Sequence, residues 1–356
     1  MKRFLDPKLA DLVRYAPGEQ PHGGPVVKLN TNENPFPPSP SVLRALSGGE
    51  SEKLHLYPDP EAAGLTRAIA ERFGVSERQV VTGNGSDELL AFCFHGLCPD
   101  GAVFADVTYG FYPVFCRMFG VPFREVPLRG DFSLNVDDYR NHRETVFIAN
   151  PNAPTGIALT LSEVRALLEQ DRDRLTVVDE AYVDFGADSA AALLDDYDNL
   201  LVVQTFSKSR QLAGIRLAFA LGSEPLARDL ATLKFAFNPY SVNRLALAAG
   251  EAALRDEAYF ERTRGEIVKN REALQEGLRA LGAKTLPSEA NFVFMRPPMD
   301  AAALYRALRN RGILVRHFPG GRTGDWLRVS VGTDEQIVAL IGAVRDILRE
   351  TADAAG

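Results

Sequence analysis

A lysine and an arginine eight residues apart carry the chemistry that this sequence indicates most strongly. Lys208 ends the run Thr205-Phe206-Ser207-Lys208, Arg216 follows it, and the acidic pair Asp179-Glu180 stands upstream. An amine can bind an aldehyde as a Schiff base, a guanidinium with hydroxyls can bind a phosphate, and a carboxylate can hold a protonated ring nitrogen. Pyridoxal phosphate requires these three groups, so the sequence predicts a site for that cofactor.

Other polar segments follow apolar runs that read as strands. The turn Gly83 to Glu88 precedes a helix, so its backbone N–H groups could hold a phosphate, and Asn150 to Gly156 follows another apolar run. Each has a common alternative, since tight turns and helix N-caps use the same residues and a loop lysine is often only solvated. Four strand ends that each supply a group suited to one cofactor favour a single site at the carboxyl edge of a sheet.

The elements that must position these residues are short apolar runs that alternate with helical stretches. This alternation predicts an α/β fold in which helices cover both faces of a mostly parallel sheet. The β-type runs are Val80–Thr82, Ala102–Phe104, Thr145–Ile148, Leu175–Val178, Leu200–Val203 and Leu217–Ala220.

Three regions are expected along the 356 residues, which exceed what one hydrophobic core usually organises. Residues 1–40, rich in Pro, Gly and Asn, are predicted to form an N-terminal arm that joins the small domain. Residues 41–245 are predicted to form the large cofactor-binding domain. Residues 246–356 read as a smaller α+β domain that begins with one long helical stretch.

Composition excludes several other functions. Forty basic residues against 47 acidic ones give a formal charge of −7, which argues against a general nucleic-acid surface. No apolar run reaches the roughly 18 residues of a membrane span, and no secretory segment follows Met1, so a cytoplasmic protein is expected. Cys93, Cys98 and Cys116 are expected to be buried free thiols, and the five scattered histidines predict no metal site.

The sequence resembles the fold type I pyridoxal phosphate enzymes and, within them, the histidinol-phosphate aminotransferase family. The resemblance covers nearly the whole chain. The motifs that carry it are Lys28 to Pro35, Tyr57 to Pro60, Gly83 to Glu88, Asn150 to Gly156, Asp179 to Tyr182, Thr205 to Arg216, and Leu327 to Thr333. The lysine and arginine motif is very specific for pyridoxal phosphate, whereas related transaminases and a phosphothreonine decarboxylase share much of the N-terminal motifs.

The resemblance implies a role for each cofactor-site residue. Lys208 looks like the Schiff-base lysine and acid/base, Asp179 like the partner of the ring nitrogen, and Tyr182 like the partner of the ring hydroxyl. Tyr109 resembles the aromatic residue that stacks on the ring. The residues implied at the cofactor phosphate are Gly85, Ser86, Asp87, Thr205, Ser207 and Arg216, with Tyr57 of a neighbouring subunit.

One position departs from the family pattern. Relatives generally carry asparagine immediately before Pro-Thr-Gly, where its amide touches the ring oxygen, but Ala153 stands there in this chain. Asn152 would replace that amide if the loop turns differently. If it does not, Tyr182 alone would hold the ring oxygen.

The substrate end of the site is implied less specifically. Arg328 looks like the arginine that clamps the substrate carboxylate or its equivalent end, because a guanidinium fork matches two oxygens. The further candidates are Asn32, Arg316, Tyr15 and Arg322, with a surface salt bridge as the alternative for Arg316 and packing for Tyr15. Glu19 stands where relatives often carry lysine, which puts an acidic charge near the supposed substrate phosphate.

The activity that the resemblance implies is ping-pong transfer of the amino group of histidinol phosphate to 2-oxoglutarate, in a homodimer with Tyr57 contributed across the interface. The activity of another transaminase, or of a phosphothreonine decarboxylase with the same fold, stays open as an alternative. So does a non-catalytic cofactor-binding protein, although the intact Lys208 and Asp179 argue against it. A nicotinamide-dependent oxidoreductase is more remote, since the sequence lacks a dinucleotide fingerprint.

Overall fold

The computed structural model describes residues 4–9, 12, 18–20 and 26–355, so Tyr15 lies outside the described residues. The strands are β1 (Val27–Lys28), β2 (Val80–Gly83), β3 (Ala102–Ala105), β4 (Phe123–Val126), β5 (Thr145–Ala149), β6 (Thr176–Asp179), β7 (Leu200–Thr205), β8 (Ala218–Gly222), β9 (Lys284–Thr285), β10 (Phe292–Arg296), β11 (Ile313–Leu314), β12 (Arg316–His317) and β13 (Leu327–Ser330). The helices are α1 (Pro40–Ser47), α2 (Ala63–Phe73), α3 (Ser86–Gly96), α4 (Tyr112–Phe119), α5 (Leu161–Glu169), α6 (Glu224–Phe237), α7 (Arg244–Arg255), α8 (Glu257–Ala280), α9 (Ala301–Asn310) and α10 (Asp334–Ala355).

The large sheet has the strand order β2-β8-β7-β6-β5-β3-β4. β8 runs antiparallel to its neighbours β7 and β2, and the pairs from β7 across to β4 are parallel. The inner strands are buried along their whole length, because apolar clusters cover both faces of the sheet. The predicted α/β fold with a mostly parallel sheet is confirmed.

β4, at the edge of this sheet, was not predicted from the sequence. Two of its four residues, Arg124 and Glu125, are exposed, so the strand presents no continuous apolar run. Edge strands commonly carry such charges, which discourage pairing with another chain. Continuous apolar runs in the sequence therefore indicate strands that are covered on both faces, and they do not indicate a charged edge strand such as β4.

A second sheet lies in the C-terminal part of the chain, with the antiparallel order β12-β13-β10-β9. Its apolar face packs against α8, α9 and α10 around Val293, Leu304 and Leu340. β1, from the predicted arm, pairs in parallel with β11 of this region. The domain boundaries at residues 40 and 245 stay predictions.

The long helical stretch predicted after Leu245 is two helices with a break at Asp256. The backbone of Asp256 leaves helical geometry at φ −95° and ψ 62°. Before the break, Ala246, Ala249 and Ala253 of α7 pack into the core of the large sheet. After it, α8 packs into the core of the C-terminal sheet, so the break separates helices that serve two cores.

The three cysteines are free, and burial raises the pKa of Cys98 and Cys116 to about 12 and that of Cys93 as well. Within the described ranges, no helix is long and apolar enough to cross a membrane. The same part of the chain contains no group of three or more His, Cys, Asp or Glu side chains placed to bind a metal ion.

Candidate active site

Lys208 lies in the turn that follows β7, at the edge where β2, β5 and β6 also end. Its Nζ is 3.4 Å from the carbonyl oxygen of Thr31 and 5.7 Å from the centroid of the Tyr182 ring. Its own carbonyl accepts a hydrogen bond from Nδ2 of Asn34 at 3.0 Å. The half-buried amine is therefore held between the N-terminal segment and the large sheet.

Asp179 is the last residue of β6, and only 5% of it is exposed. Its Oδ2 accepts a hydrogen bond from the hydroxyl of Tyr112 at 3.0 Å, and Oδ1 accepts one from the backbone N–H of Ala181 at 3.2 Å. Burial raises the pKa of Asp179 to about 6, although both hydrogen bonds and the charge of Lys208 oppose that rise. A cationic ring nitrogen beside Asp179 would supply the positively charged partner that favours the ionised form of this buried carboxylate.

Gly85, Ser86 and Asp87 form the start of α3 and face Arg216. Gly85 caps the helix at φ 86°, and a Cβ atom there would lie 2.5 Å from Nη2 of Arg216. Nη2 of Arg216 is 3.4 Å from Oδ2 of Asp87. A guanidinium thus lies beside the N-terminus of a helix, and both groups favour a phosphate.

Asp87 is also bound by Tyr109, whose hydroxyl donates to Oδ1 at 2.7 Å. The Tyr109 ring stands edge-on to the ring of Tyr112, with centroids 5.6 Å apart. The structure therefore connects the predicted stacking residue to the phosphate side through Asp87 and to the Asp179 side through Tyr112.

Thr205 and Ser207 are buried where β7 turns toward Lys208. Their hydroxyls lie 2.9 Å apart, and Oγ1 of Thr205 also accepts the backbone N–H of Ser207 at 3.1 Å. This local network fixes the start of the turn that carries Lys208.

Tyr182 and Asn32 meet near Lys208, since Nδ2 of Asn32 donates to the Tyr182 hydroxyl at 3.0 Å. Asn32 has a positive φ of 56° and is buried. Its Oδ1 accepts from Ser330 at 2.9 Å, and its carbonyl accepts from Asn291 at 3.0 Å. A residue of the N-terminal segment is therefore fixed between the large sheet and the C-terminal sheet.

The amide of Asn152 has partners in the loop that follows β3 and in its own loop. Its Oδ1 accepts from the Thr108 hydroxyl at 2.9 Å, and its Nδ2 donates to the carbonyl of Val107 at 3.0 Å and to the Thr155 hydroxyl at 3.1 Å. An amide nitrogen carries two hydrogens, and both are used. This geometry favours Tyr182 over Asn152 as the group that holds the ring oxygen.

Arg328 and Arg316 lie side by side on β13 and β12. The Arg328 guanidinium carbon is 5.3 Å from the ring centroid of Phe292, and that ring packs edge-on against Tyr182 at 5.0 Å. The guanidinium groups of Arg328 and Arg316 also lie 5.5 Å and 5.6 Å from the Phe318 ring. The two predicted arginines thus share one aromatic cluster beside Tyr182.

Arg322 and Glu19 already have charged partners. Nη1 of Arg322 donates to Oδ2 of Asp106 at 2.9 Å, and Nη2 donates to the carbonyl of Arg129. Glu19 accepts two hydrogen bonds of 2.8 Å from the guanidinium of Arg309, which offsets the acidic charge that this position introduces. Tyr57, by contrast, is 76% exposed and stacks on Tyr240 with centroids 4.5 Å apart.

The donor set fits pyridoxal phosphate at each of its functional groups. Lys208 supplies an amine, the Gly85 turn with Arg216 supplies a phosphate cradle too tight for a Cβ, and Asp179 supplies a buried carboxylate for a cationic ring. Tyr112 was not predicted from the sequence as a residue of this site. Its contact with Asp179 joins two elements 67 residues apart, so no local pattern reveals it.

Similarity to known proteins agrees with this geometry. Residues 24–344 match the family model of class I and II aminotransferases. The chain is 50% identical to histidinol-phosphate aminotransferase of Acetobacter pasteurianus, covering 98% of this chain and 99% of that one. It is 52% identical to histidinol-phosphate aminotransferase 1 of Bradyrhizobium diazoefficiens, covering 98% of this chain and 100% of that one.

A solved structure of histidinol-phosphate aminotransferase from Sinorhizobium meliloti, in complex with pyridoxal-5'-phosphate, superimposes with a TM-score of 0.87. The two chains are 26% identical, and the alignment covers 99% of each. Fold, site and sequence thus agree, and this chain belongs to the histidinol-phosphate aminotransferase family within the class I and II aminotransferases.

Proposed function

We propose that this chain is a pyridoxal-phosphate-dependent aminotransferase that transfers the amino group of histidinol phosphate to 2-oxoglutarate in histidine biosynthesis. The observation that carries the proposal is the meeting of Lys208 with Asp179 and Tyr182 at one edge of the large sheet. Near-complete alignment with relatives named for this reaction, at 50% identity, supports the choice of donor.

When bound, pyridoxal phosphate supplies the electron sink that stabilises negative charge at the donor Cα. Nζ of Lys208 would hold the aldehyde of the cofactor, and its free amine would accept the proton of the donor Cα. Asp179 keeps the ring nitrogen protonated, and the Tyr112 hydroxyl orients its Oδ2. One lysine therefore serves as anchor and as acid/base.

The remaining residues bind and orient. Arg216 and the first N–H groups of α3 hold the cofactor phosphate, and the Tyr182 hydroxyl holds the ring oxygen. Arg328 binds the carboxylate of 2-oxoglutarate or the corresponding end of the donor, because its guanidinium lies beside the Phe292 ring that also contacts Tyr182. Arg316 and Asn32 extend the same end of the pocket.

The enzyme is proposed to act as a homodimer in the cytoplasm. Large apolar side chains are exposed in the segments that hold Tyr57 and its stacking partner Tyr240, and monomeric proteins rarely expose large contiguous apolar patches. These side chains are Leu54, Leu56, Phe237 and Tyr240. A second copy covering them would bring Tyr57 toward the partner's cofactor phosphate, and the small diffusible substrates fit a cytoplasmic location.

Product analysis tests the function. The purified protein with pyridoxal phosphate, histidinol phosphate and 2-oxoglutarate should form imidazole acetol phosphate and glutamate in equal amounts. Lys208→Ala should abolish both products, whereas Lys269→Ala, at an exposed position of α8, should not. Carbon dioxide released from phosphothreonine, without glutamate, would instead identify a decarboxylase, and a protein that takes up no cofactor would exclude both enzymes.

A further inference from the structure

Arg210, two residues after Lys208, is a buried arginine that the roles above do not use. It is 5% exposed, and its guanidinium carbon lies 3.5 Å from the ring centroid of Phe260. Nη1 donates to the carbonyl oxygen of Ala253 at 2.9 Å, and Nη2 lies 3.3 Å from Oε2 of Glu257. A buried cation needs such partners, since removing it from water is costly.

The two acceptors of Arg210 lie on opposite sides of the helix break at Asp256. Ala253 is in the last turn of α7, and Glu257 is the first residue of α8. Because α7 packs on the core of the large sheet and α8 on the core of the C-terminal sheet, the guanidinium joins the ends of helices that belong to different cores. A planar fork can bind both acceptors at once.

Residues on either side of Arg210 have anchors of their own. The hydroxyl of Ser209 donates to Oδ2 of Asp184. Nε2 of Gln211 donates to the Thr263 hydroxyl on α8 at 3.0 Å and to the carbonyl of Ser209 at 2.8 Å. The three residues that follow Lys208 are thus tied to the segment after β6, to the helix break and to α8.

Glu257 is shared with a second arginine. Nη1 of Arg72 is 2.7 Å from the same Oε2, and its guanidinium lies 5.3 Å from the Phe260 ring. Burial raises the pKa of Glu257, but Arg72 and Arg210 outweigh it and lower the pKa overall. The carboxylate of Glu257 therefore stays ionised in the neutral pH range, where Arg210 can form an ion pair with it.

We propose that Arg210 is a positioning residue that fixes Lys208 by clamping its turn to the α7–α8 junction. The placement of the reactive amine then depends on the relative position of two helices that serve different cores. This inference rests on the proposed role of Lys208, but the coupling between the turn and the junction is a property of the protein without cofactor.

Hydrogen exchange of the cofactor-free protein tests that coupling directly. Arg210→Met keeps an apolar stem over Phe260 and removes both hydrogen bonds. Exchange in residues 206–212 and 253–260 should accelerate about tenfold or more, while the strands of the large sheet keep their protection. Arg264→Met is the control, because it removes an arginine of α8 whose ion pair of 2.7 Å, to Glu261, stays within that helix.

A spectroscopic readout separates positioning from simple stabilisation. The measurement uses the cofactor-loaded protein and follows the absorbance band of the cofactor bound to Lys208 as the pH is changed. The pH at the midpoint of this titration should shift in Arg210→Met and remain unchanged in Arg264→Met. If Arg210→Met does not fold, Arg210→Lys keeps the charge but cannot span both acceptors, and smaller changes in the same direction are expected. Unchanged exchange in 206–212 with an unchanged midpoint would overturn the proposal. A wild-type protein without any band would overturn the role of Lys208 and leave the exchange result standing.

Discussion

The hydroxyl of Tyr112, on α4, donates a 3.0 Å hydrogen bond to Oδ2 of Asp179 at the carboxyl end of β6. Tyr112 is fully buried, so the pair is shielded from water. Burial raises the pKa of Asp179 to about 6, and the hydrogen bond from Tyr112 lowers it. The tyrosine therefore favours the ionised form of the carboxylate, which is the form that a protonated ring nitrogen requires.

Asp179→Asn is expected to stabilise the cofactor-free protein at pH 8 while removing its activity. Because the pKa rises on folding from 3.8 to about 6, stability from Asp179 is present below pH 3.8 and lost as the pH rises through 6. The free energy of unfolding should increase by up to about 3 kcal/mol at pH 8, and by about half as much at pH 5. Urea unfolding at both pH values measures this, and a less stable variant at pH 8 would contradict it.

Tyr112→Phe is expected to move the acidic limb of the activity profile to higher pH by about one to two units. Loss of a hydrogen bond to a charged group costs about 1.5 to 3 kcal/mol, which raises the pKa of Asp179 further. Tyr139→Phe is the control, since Tyr139 is equally buried and its hydroxyl has no hydrogen-bond partner in the described part of the chain. Equal profiles for the two variants would exclude a role for the Tyr112 hydroxyl.

Gly85→Ala is expected to weaken cofactor binding at least about tenfold. The new Cβ would lie 2.5 Å from Nη2 of Arg216 and displace the guanidinium from the start of α3. Gly74→Ala provides the control, because Gly74 also has a positive φ, of 68°, but nothing within 4 Å of the added Cβ. Both substitutions put alanine at a positive φ that favours glycine, at a cost of about 1 to 3 kcal/mol each, and only Gly85→Ala should change the spectral titration with pyridoxal phosphate. Equal affinities of the two variants for pyridoxal phosphate would contradict the proposed phosphate site at Gly85 and Arg216.

The site was predictable where one strand delivers one group. Lys208, Asp179 and the turn at Gly85 each follow a buried apolar run, and parallel strands bring such ends to one edge. Contacts between distant elements were not predictable from the sequence. The contacts of Tyr112 with Asp179 and of Arg210 with Glu257 are two examples. Their partners are 67 and 47 residues away, and which side chains meet depends on helix packing rather than on local pattern.

The break between α7 and α8 escaped prediction for a related reason. The helical periodicity continues on both sides of Asp256, but the two helices pack on different cores. The backbone geometry at Asp256 is set by tertiary packing, and the hydrophobic periodicity of the sequence does not encode that packing.

Asn152→Ala is expected to lower stability without altering the bound cofactor. Its amide supports Val107, Thr108 and Thr155, so the loss should cost about 1 to 3 kcal/mol. Tyr182→Phe should instead shift the absorbance of bound cofactor, because it removes the hydroxyl proposed to hold the ring oxygen. Thermal unfolding and absorbance spectra distinguish the two. A spectral shift in Asn152→Ala at unchanged Tm would return the ring-oxygen role to Asn152.

Tyr57 is expected to complete the active site of the neighbouring subunit. Tyr57→Ala and Lys208→Ala should each impair the homodimer. A heterodimer with one variant on each subunit would contain one site with both an intact Lys208 and the partner's Tyr57. Separate affinity tags isolate it, and it should recover about half of wild-type activity. If Tyr57 serves its own subunit, no site in this heterodimer is complete and activity stays low.

The reverse arrangement makes the opposite prediction. When both substitutions are on one subunit and its partner is wild type, the only intact Lys208 faces a chain without Tyr57. Activity should then be low if Tyr57 acts across the interface, and about half of wild type if it acts within its own subunit. Because Tyr57 is 76% exposed in the single subunit, Tyr57→Ala should leave the core of that subunit intact, so that the comparison reports on the site rather than on folding.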